Sequence, residues 1–498
     1  MKAHLLFADR DLDLSAELPS NAAELTQDLD LDVLFEAMSG GDAFLREVAR
    51  RVVLATLDEP RAIAYRQDVL ADCVAEPDVV RQMYSIAVGA LADEKHVYFP
   101  IFRHPSGVLR RSVEVLQVLV ARLKELRGLA DANAARFRST GFTTLFEMLS
   151  SELTDEYFHT IEEHLSRLRF RDGVLVSARL GTGNKGVRYV LRSPSTARRG
   201  LRERIGLGGG RPSYSFTIAD RDEAGARALS ELADRGINLV GNALAQSVDH
   251  VVDFFTMLCR ELGFYVGCLN LREGLVGKGE PVCTPVPLPT GATALSARGV
   301  YDVCLTLRSG DRVVGNDVDA EGKPLVLITG ANSGGKSTLL RSLGLAQLML
   351  QSGMFVCAES FSADVRDRIF THFIREEDVA MRSGKLDEEL SRMEAISKEL
   401  SSRSMVLFNE SFGSTNEREG SELARQITTA LLESGVKVLF VTHLYTFAKG
   451  LQDGGPVPAL FLRAERGSDG THRYRLVEGP PLPTSFGPDI YARVDGFS

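Results

Sequence analysis

The sequence predicts a multidomain protein in which a helical region with a small β-hairpin insertion precedes an α/β domain with a P-loop. Apolar residues recur at helical spacing through most of residues 31–262. Alternating residues around a glycine-rich turn interrupt that pattern at 173–192 and favour a hairpin. After the proline-rich segment 281–289, short apolar strands alternate with helical stretches, as expected for a parallel sheet.

Length and composition are those of a globular protein with several domains. The 498 residues are enough for roughly two to four domains, and 44% of them are hydrophobic and 25% charged. We expect a helical domain at 1–105 and long helices at 106–290 with a basic β insertion at about 171–220. The P-loop domain is predicted at 291–498.

Charge and cysteine usage exclude several classes of protein. The net charge of −9 gives no global basic surface, so nucleic-acid binding would need a local patch. The six cysteines contain no C-x-x-C pair, which fits a reducing compartment and argues against a zinc site. Acidic residues follow the first methionine too early for a signal peptide, and no apolar run reaches the length of a membrane span. We therefore expect a cytoplasmic protein without membrane contact.

The helical region divides into a small domain and a set of longer helices. Residues 31–91 have a helical pattern with breaks near Gly40–Gly41, Asp58–Pro60 and Glu76–Pro77. Three further apolar stripes predict long helices, either as an ordinary bundle or as a pair of arms separated by the insertion. Their members are Leu116, Leu119, Leu123, Leu126 and Ala130; then Phe142, Leu145, Leu149, Leu153, Tyr157, Ile161, Leu165 and Leu168; then Leu244, Val248, Val251, Phe255, Leu258 and Leu262.

The insertion is strongly basic. Between residues 179 and 211, nine basic residues are opposed only by Glu203, in a chain that is acidic as a whole. Such a patch fits contact with a DNA phosphate backbone without base recognition, and a flexible solvated loop is the alternative. The nine are Arg179, Lys185, Arg188, Arg192, Arg198, Arg199, Arg202, Arg204 and Arg211, of which Lys185, Arg188, Arg198, Arg199 and Arg202 are our candidate DNA contacts.

The segment 325–338 has the strand, glycine-rich turn and helix start of a phosphate-binding P-loop. Backbone N–H groups of such a turn surround a phosphate, and the helix N-terminus adds its partial positive charge. Lys336 can reach the β- and γ-phosphates of ATP, and the Ser337 hydroxyl can bind Mg²⁺. A glycine-rich turn with a surface lysine is the alternative. The candidate nucleotide-binding residues are Gly330, Gly334, Gly335, Lys336, Ser337 and Thr338.

Polar residues end two further buried strands of this domain. Glu410 is our candidate for the base or water-positioning group of a hydrolysis reaction. Asn409 is a candidate metal ligand together with Ser337, because an amide keeps an acceptor oxygen although it lacks the charge of a carboxylate. His443 could sense the γ-phosphate, and a structural histidine is the alternative. The predicted strands lie at 303–307, 313–314, 404–410 and 436–443, and the predicted helices lie at about 386–402 and 418–434.

These segments resemble the MutS family. Residues 329–338 (TGANSGGKST) are similar to the family's TGPN-x-x-GKST, residues 409–415 (NESFGST) stand where it has DE-x-x-x-GT, and 441–443 (VTH) match its ATH. Further segments that resemble its flanking motifs, or more weakly its core domain, are 315–318, 474–479, 485–487 and 51–70.

The resemblance implies a helical core and lever region followed by an ABC-type ATPase domain that works as a homodimer. The basic hairpin would fall where the family has a DNA-clamping element. By the same resemblance, Asn332 joins the nucleotide-binding residues, Glu410 is catalytic and His443 is a switch residue. The expected cofactors are ATP and Mg²⁺.

The sequence departs from the family pattern in places. The family's S-T-F segment falls at Gly384–Leu386, with Ser383 one position early, which argues against activation of a partner's site by that serine. Ala331 replaces the proline of the P-loop. The only F-x-E sequence, 408–410, lies in a strand of the P-loop domain. We therefore expect neither a classical mismatch-reading domain nor an endonuclease-like domain.

Our leading hypothesis is a MutS-like ATPase that switches a dimeric clamp on DNA, probing DNA shape or backbone in repair or recombination. The alternative is a nucleotide-gated scaffold that recruits a protein partner, with hydrolysis slowed or lost because of Asn409. An ATPase of the SMC kind fits less well because the predicted arm helices are short.

Overall fold

The computed structural model describes residues 1–97, 104–170, 173–192, 215, 217–219, 221–309, 312–330, 334–375, 384–466 and 472–482. The chain folds into two compact units. Unit 1 comprises Met1–Ala3, Gln82–Ala134 and Leu145–Cys259, and unit 2 comprises His4–Arg81, Ala135–Thr144 and Arg260–Ser498. A multidomain chain rich in helices with mixed sheets is thereby confirmed, whereas the domain boundaries given above stay a prediction.

Helices make up most of the regular structure. They are α1 Ala22–Asp28, α2 Leu31–Ser39, α3 Ala43–Leu54, α4 Pro60–Ala75, α5 Pro77–His96, α6 Pro105–Asn133, α7 Thr140–Glu152, α8 Asp155–Arg167, α9 Glu223–Gly277, α10 Val303–Arg308, α11 Lys336–Gln351, α12 Lys385–Ser397, α13 Glu417–Glu433 and α14 Tyr445–Gly454. The strands are β1 Val176–Leu180, β2 Gly186–Leu191, β3 Val286–Leu288, β4 Leu295–Val300, β5 Asn316–Asp319, β6 Leu325–Thr329, β7 Ser360–Asp364, β8 Ile369–Phe373, β9 Met405–Asn409, β10 Lys437–Val441, β11 Ala459–Arg466 and β12 His472–Glu478.

Unit 1 contains the hairpin predicted from the alternating pattern. Strands β1 and β2 pair antiparallel, with Val176 opposite Leu191. The hairpin packs on helix α9, where Gly236 leaves room for the Val176 side chain; an added Cβ would lie 2.6 Å from its Cγ2. The glycine-rich turn with flanking alternation was therefore a sufficient signal for this element.

The stripe at 142–168 forms two helices instead of one. Thr154 stands between α7 and α8, and its hydroxyl accepts a hydrogen bond from the Tyr157 N–H at 3.1 Å. Such a cap satisfies an N–H that has no partner within the helix, so a new helix starts there. Apolar spacing alone does not reveal this interruption, because the stripe continues across it.

The described residues of unit 2 form two sheets. The six-stranded sheet has the order β12-β11-β6-β10-β9-β8, in which β12 pairs antiparallel with β11 and the other neighbours are parallel. The four-stranded sheet has the order β3-β7-β4-β5. Between β9 and β10 the rings of Phe408 and Phe440 stack with centroids 4.8 Å apart, and Phe440 also contacts Phe447 of α14. The parallel pairs align the ends of β6, β9 and β10, which carry the candidate site residues.

Two strand predictions ahead of the P-loop are wrong. Residues 303–307 belong to helix α10, and 313–314 form no strand. The Asp302 carboxylate accepts the Leu305 N–H at 3.0 Å and thereby caps the helix. A run of six residues is too short for its apolar spacing to separate a helix from a strand, so the capping aspartate was the signal that mattered.

Residues 5–12, near the start of the chain, offered few cues and are held in unit 2. The buried Glu261 carboxylate of α9 accepts the N–H groups of Leu5, Leu6 and Leu12, at 2.5, 3.3 and 3.2 Å. The Tyr265 hydroxyl donates to the Leu5 carbonyl at 2.6 Å.

None of the described helices combines the length and the hydropathy that a bilayer span requires.

Candidate nucleotide-binding site

The P-loop begins where strand β6 ends and closes where helix α11 starts. Gly330 and Gly335 have φ of +118° and +88°, which side chains rarely adopt. At Gly330 an added Cβ would also lie 3.0 Å from the backbone nitrogen of Ala464. Glycine is therefore required at both ends of the turn. Asn332 lies outside the described residues.

Lys336 crosses this turn. Its ammonium group is buried, donates a hydrogen bond to the Gly330 carbonyl at 2.8 Å and lies 3.9 Å from Glu410 Oε1. Burial lowers the pKa of Lys336, and the Glu410 carboxylate opposes that shift. A phosphate group would replace these partners with a stronger one, so the lysine is placed for anion binding.

The Ser337 hydroxyl and Asn409 form the other half of the site. Ser337 Oγ donates a hydrogen bond to Asn409 Oδ1 at 2.8 Å, which leaves the oxygen lone pairs of the hydroxyl for a cation. Two oxygen donors beside a phosphate pocket suit Mg²⁺, which takes few protein ligands and completes its shell with phosphates and water. The residues present therefore fit Mg²⁺. Among the described residues, no group of three or more His, Cys, Asp and Glu side chains could hold a metal ion by itself.

Glu410 follows β9 in a tight turn. Its N–H donates to the Val441 carbonyl of β10 at 2.9 Å, and its side chain is 31% exposed. Both Glu410 and Phe412 have a left-handed backbone, with φ of +57° and +63°. Glu410 is thereby turned out of the sheet and towards Lys336.

His443 is exposed just beyond the end of β10. A Cβ added to Gly413 would lie 3.1 Å from His443 Cε1 and 3.1 Å from the Glu410 carbonyl oxygen. The histidine ring therefore lies beside the turn that carries Glu410. It does not line the cleft described next.

A cleft of about 570 Å³ opens over the P-loop. Sequence reasoning assigned its phosphate side but missed its other wall, which residues from distant segments provide. Asn316 joins two of these segments, because it accepts the Leu476 N–H at 2.7 Å and donates to the Tyr474 carbonyl at 3.2 Å. The lining residues are Leu305, Ser309, Arg312, Val313, Val314, Asn316, Gly334, Gly335, Lys336, Ser337, Thr338, Glu410 and Tyr474.

Helix α10, part of that wall, is fixed from two sides. Asp302, the residue before it, accepts Nε and Nη2 of Arg341 from α11 at 2.8 and 2.6 Å. Lys278, which follows α9, donates to the carbonyls of Thr306 and Ser309 at 2.7 and 3.1 Å. The cleft wall is thus connected both to the P-loop helix and to the end of the longest helix.

The candidate DNA contacts lie in another part of the chain. Lys185 and Arg188 are exposed on the hairpin. The remaining candidates, Arg198, Arg199 and Arg202, lie outside the described residues, as do Ser383 and the segment 485–487.

Two family models match the chain. The MutS2 N-terminal domain matches residues 58–277, and MutS domain V matches residues 326–492. The second match contains the P-loop, Asn409, Glu410 and His443.

Curated relatives agree with these matches. A protein named Endonuclease MutS2 from Thermus thermophilus is 40% identical over 129 residues, which are 25% of this chain and 17% of the relative. Endonuclease MutS2 from Lacticaseibacillus casei is 30% identical over 215 residues, 41% of this chain and 27% of the relative. DNA mismatch repair protein MutS from Chloroflexus aurantiacus is 27% identical over 222 residues, 42% of this chain and 23% of the relative.

The similarity thus covers about a quarter or less of each relative's length, while the two domain matches cover most of this chain from residue 58 to residue 492. On these two domains and these relatives, the chain belongs to the MutS family.

Proposed function

We propose that this protein is an ATPase that binds DNA and works as a homodimer in DNA repair or recombination. The observation that carries the ATPase part is the placement of Glu410 3.9 Å from the P-loop Lys336, with Ser337 and Asn409 hydrogen-bonded beside them. Phosphate binding, cation binding and water activation thereby have candidate groups in one cleft.

In this proposal each residue has a distinct task. Lys336 neutralises charge on the β- and γ-phosphates, and the N-terminus of α11 presents its N–H groups. Mg²⁺, when bound at Ser337 and Asn409, supplies charge neutralisation for the transferred phosphoryl group. The Glu410 carboxylate orients a water and accepts its proton as the water oxygen attacks the γ-phosphorus and the bond to ADP breaks.

Steady-state hydrolysis tests the ATPase part. Glu410→Gln should retain binding of a fluorescent ATP analogue and lose turnover by roughly 10²-fold or more, because the amide cannot accept the proton. Lys336→Met should weaken binding itself. Glu394→Gln, an exposed change on α12, serves as the matched control and should leave turnover unchanged. Turnover that survives Glu410→Gln would contradict the proposed role of Glu410.

The DNA part is supported by family membership and by exposed basic residues on the hairpin. Binding should weaken steeply as salt rises, since phosphate contacts release counterions. A binding constant independent of salt, or no binding at all, would remove DNA from the proposal. The homodimer and the clamp that ATP would switch rest on the family resemblance, and sedimentation with and without ATP tests them.

One observation favours a second candidate function, a nucleotide-gated scaffold. Asn409 offers no negative charge to Mg²⁺, whereas an aspartate would. A wild-type protein that binds ATP tightly, forms an ATP-dependent dimer and shows no Mg²⁺-dependent turnover would select the scaffold over the ATPase.

A further inference from the structure

A second carboxylate lies behind the turn that carries Glu410. Glu389 belongs to helix α12 and is 5% exposed. Its Oε2 accepts the Phe412 N–H at 2.5 Å, and its backbone carbonyl lies 2.9 Å from Nε2 of His372. No local sequence pattern points to this residue, because its contacts join three segments that are distant along the chain.

The turn needs an external partner. The left-handed backbone at Glu410 and Phe412 costs a non-glycine residue roughly 1–2 kcal/mol each. Phe412 is fully buried, and a buried N–H without an acceptor costs about 1–3 kcal/mol more. A carboxylate acceptor gives a bond about twice as strong as a neutral one. The free energy of the hydrogen bond that Glu389 accepts is therefore comparable to the cost of the left-handed backbone, so this bond can decide whether the turn keeps its shape.

His372 of strand β8 supports the same turn through Ser411, which lies between Glu410 and Phe412. The Ser411 hydroxyl lies 2.7 Å from His372 Nδ1 and 2.5 Å from the His372 carbonyl oxygen. The His372 ring also stacks on the Phe412 ring, with centroids 5.4 Å apart. Burial lowers the pKa of His372 to about 4, so the ring is neutral near pH 7. The Glu389 carbonyl can only accept, hence Nε2 carries the proton.

The contacts of Glu389 are separate from the phosphate side of the cleft. Glu389 does not line the cleft, and its partners are the backbone of the turn and the His372 ring. Lys336 and Ser337 are placed by β6, α11 and Asn409 instead. Loss of the Glu389 carboxylate should therefore move Glu410 and leave the phosphate-binding groups in place.

We propose that Glu389 is a positioning residue for ATP hydrolysis: its carboxylate holds the turn from Glu410 to Phe412 so that Glu410 faces the P-loop lysine. This inference rests on the proposed ATPase function. Helix α12 thereby influences kcat through the turn that carries Glu410.

A matched pair of variants tests the hydrogen bond. Glu389→Gln keeps an oxygen acceptor at the same place, whereas Glu389→Met fills the same space without one. We expect the methionine variant to lose kcat by about tenfold or more, the order expected when a catalytic group is misplaced. Its affinity for a fluorescent ATP analogue should stay within about threefold, and the glutamine variant should stay near wild type in both. Glu394→Met on the same helix is the control for loss of an exposed glutamate.

Three results would overturn the inference. They are an unchanged kcat in Glu389→Met, an equal loss in the glutamine and methionine variants, and a parallel loss of nucleotide binding and kcat. The first means that the turn does not need this bond. The second shifts the role from acceptor to charge, and the third makes Glu389 a general structural residue.

Hydrogen exchange separates this inference from the proposed function. The amide of Phe412 should exchange faster in Glu389→Met than in Glu389→Gln, whether or not ATP is hydrolysed. If wild type shows no turnover, the ATPase proposal fails while the exchange data still decide on the hydrogen bond. If wild type turns over and Glu389→Met matches it in kcat and in exchange, the inference alone fails.

Discussion

Asn409 places a neutral amide where a carboxylate would add a negative charge next to a cation. Its oxygen accepts the Ser337 hydroxyl, so it still orients that hydroxyl. Asn409→Asp should lower the Mg²⁺ concentration that gives half-maximal hydrolysis by about fivefold or more, since one unit charge at 4 Å is worth about 1 kcal/mol even in water. Asn409→Ala should raise that concentration. An unchanged Mg²⁺ dependence in Asn409→Asp would separate this residue from the metal.

Glu261 gives stability an unusual pH dependence. Burial outweighs its three backbone hydrogen bonds and the nearby Asp11 adds to the effect, so its pKa rises from 4.5 to about 7. The Glu261 carboxyl group thus binds its proton more tightly in the folded protein than in the unfolded chain. Its contribution to the free energy of unfolding is complete below pH 4.5 and is lost as the pH rises to about 7.

A comparison of wild type with Glu261→Gln isolates this effect. Between pH 5 and pH 8, wild type should lose up to roughly 3 kcal/mol of unfolding free energy relative to the variant. Urea unfolding at the two pH values measures the difference. A gap between the two proteins that stays constant with pH would show that the carboxylate does not titrate in this window.

At the scale of elements, Lys278, the residue that follows α9, contacts the wall of the candidate nucleotide cleft. Lys278 donates to two carbonyls at the end of α10, and α10 lines the cleft. A cation at a helix C-terminus contributes about 0.3–1 kcal/mol, and up to 2 in favourable sites. Lys278→Met should therefore raise the Kd for ATP by about twofold to tenfold.

The control for that change is Lys449→Met, because Lys449 is an exposed lysine on α14 that pairs with Asp453. It should leave ATP binding unaltered. Equal binding by Lys278→Met and wild type would mean that α10 holds its place without the lysine.

Elements with a strong local signal were predicted well. The buried strands β9 and β10 and the hairpin each combine an apolar or alternating run with glycine or polar residues at its end. The prediction for α10 was wrong because the apolar spacing of six residues does not distinguish a helix from a strand. The break between α7 and α8 was not predicted, because the apolar stripe continues across the capping threonine that separates the two helices.

For the molecule as a whole, the grouping of Lys336, Ser337 and Glu410 in one cleft could be predicted, and the opposite wall of that cleft could not. Lys336 and Ser337 belong to one continuous motif, and the strand-end rule of parallel sheets brings Glu410 to them. Tyr474 belongs to β12, which the pairing with β11 places at the edge of the sheet, and Arg312 belongs to neither a helix nor a strand. Both residues line the cleft. Glu389 depends on the contact of α12 with the turn after β9. Long-range contacts of this kind have no local pattern.

The exposed basic residues of the hairpin can be tested as DNA contacts in the whole protein. Replacing both Lys185 and Arg188 by alanine should weaken binding and make the slope of log K against log salt shallower by up to about 1.8, near 0.9 for each phosphate contact. The matched control replaces Lys398 and Arg425, exposed basic residues of unit 2, and should keep the wild-type slope. A hairpin variant with an unchanged slope would exclude these two residues as phosphate contacts.

The contacts at the C-terminal end of α11 determine whether a movement caused by bound nucleotide is transmitted beyond the P-loop. There, Gln351 and Leu57 share two buried hydrogen bonds of 2.9 and 3.0 Å. The Ser352 hydroxyl donates to the Val53 carbonyl, and the Ser352 carbonyl accepts a hydrogen bond from Arg66. A helix is stiff along its axis, so a small displacement that ATP causes at Lys336 must either break these bonds or carry residues 53–66 with it. Faster or slower amide exchange at residues 53–57 on addition of ATP would reveal such transmission over the full length of α11, and identical exchange would confine the response to the P-loop.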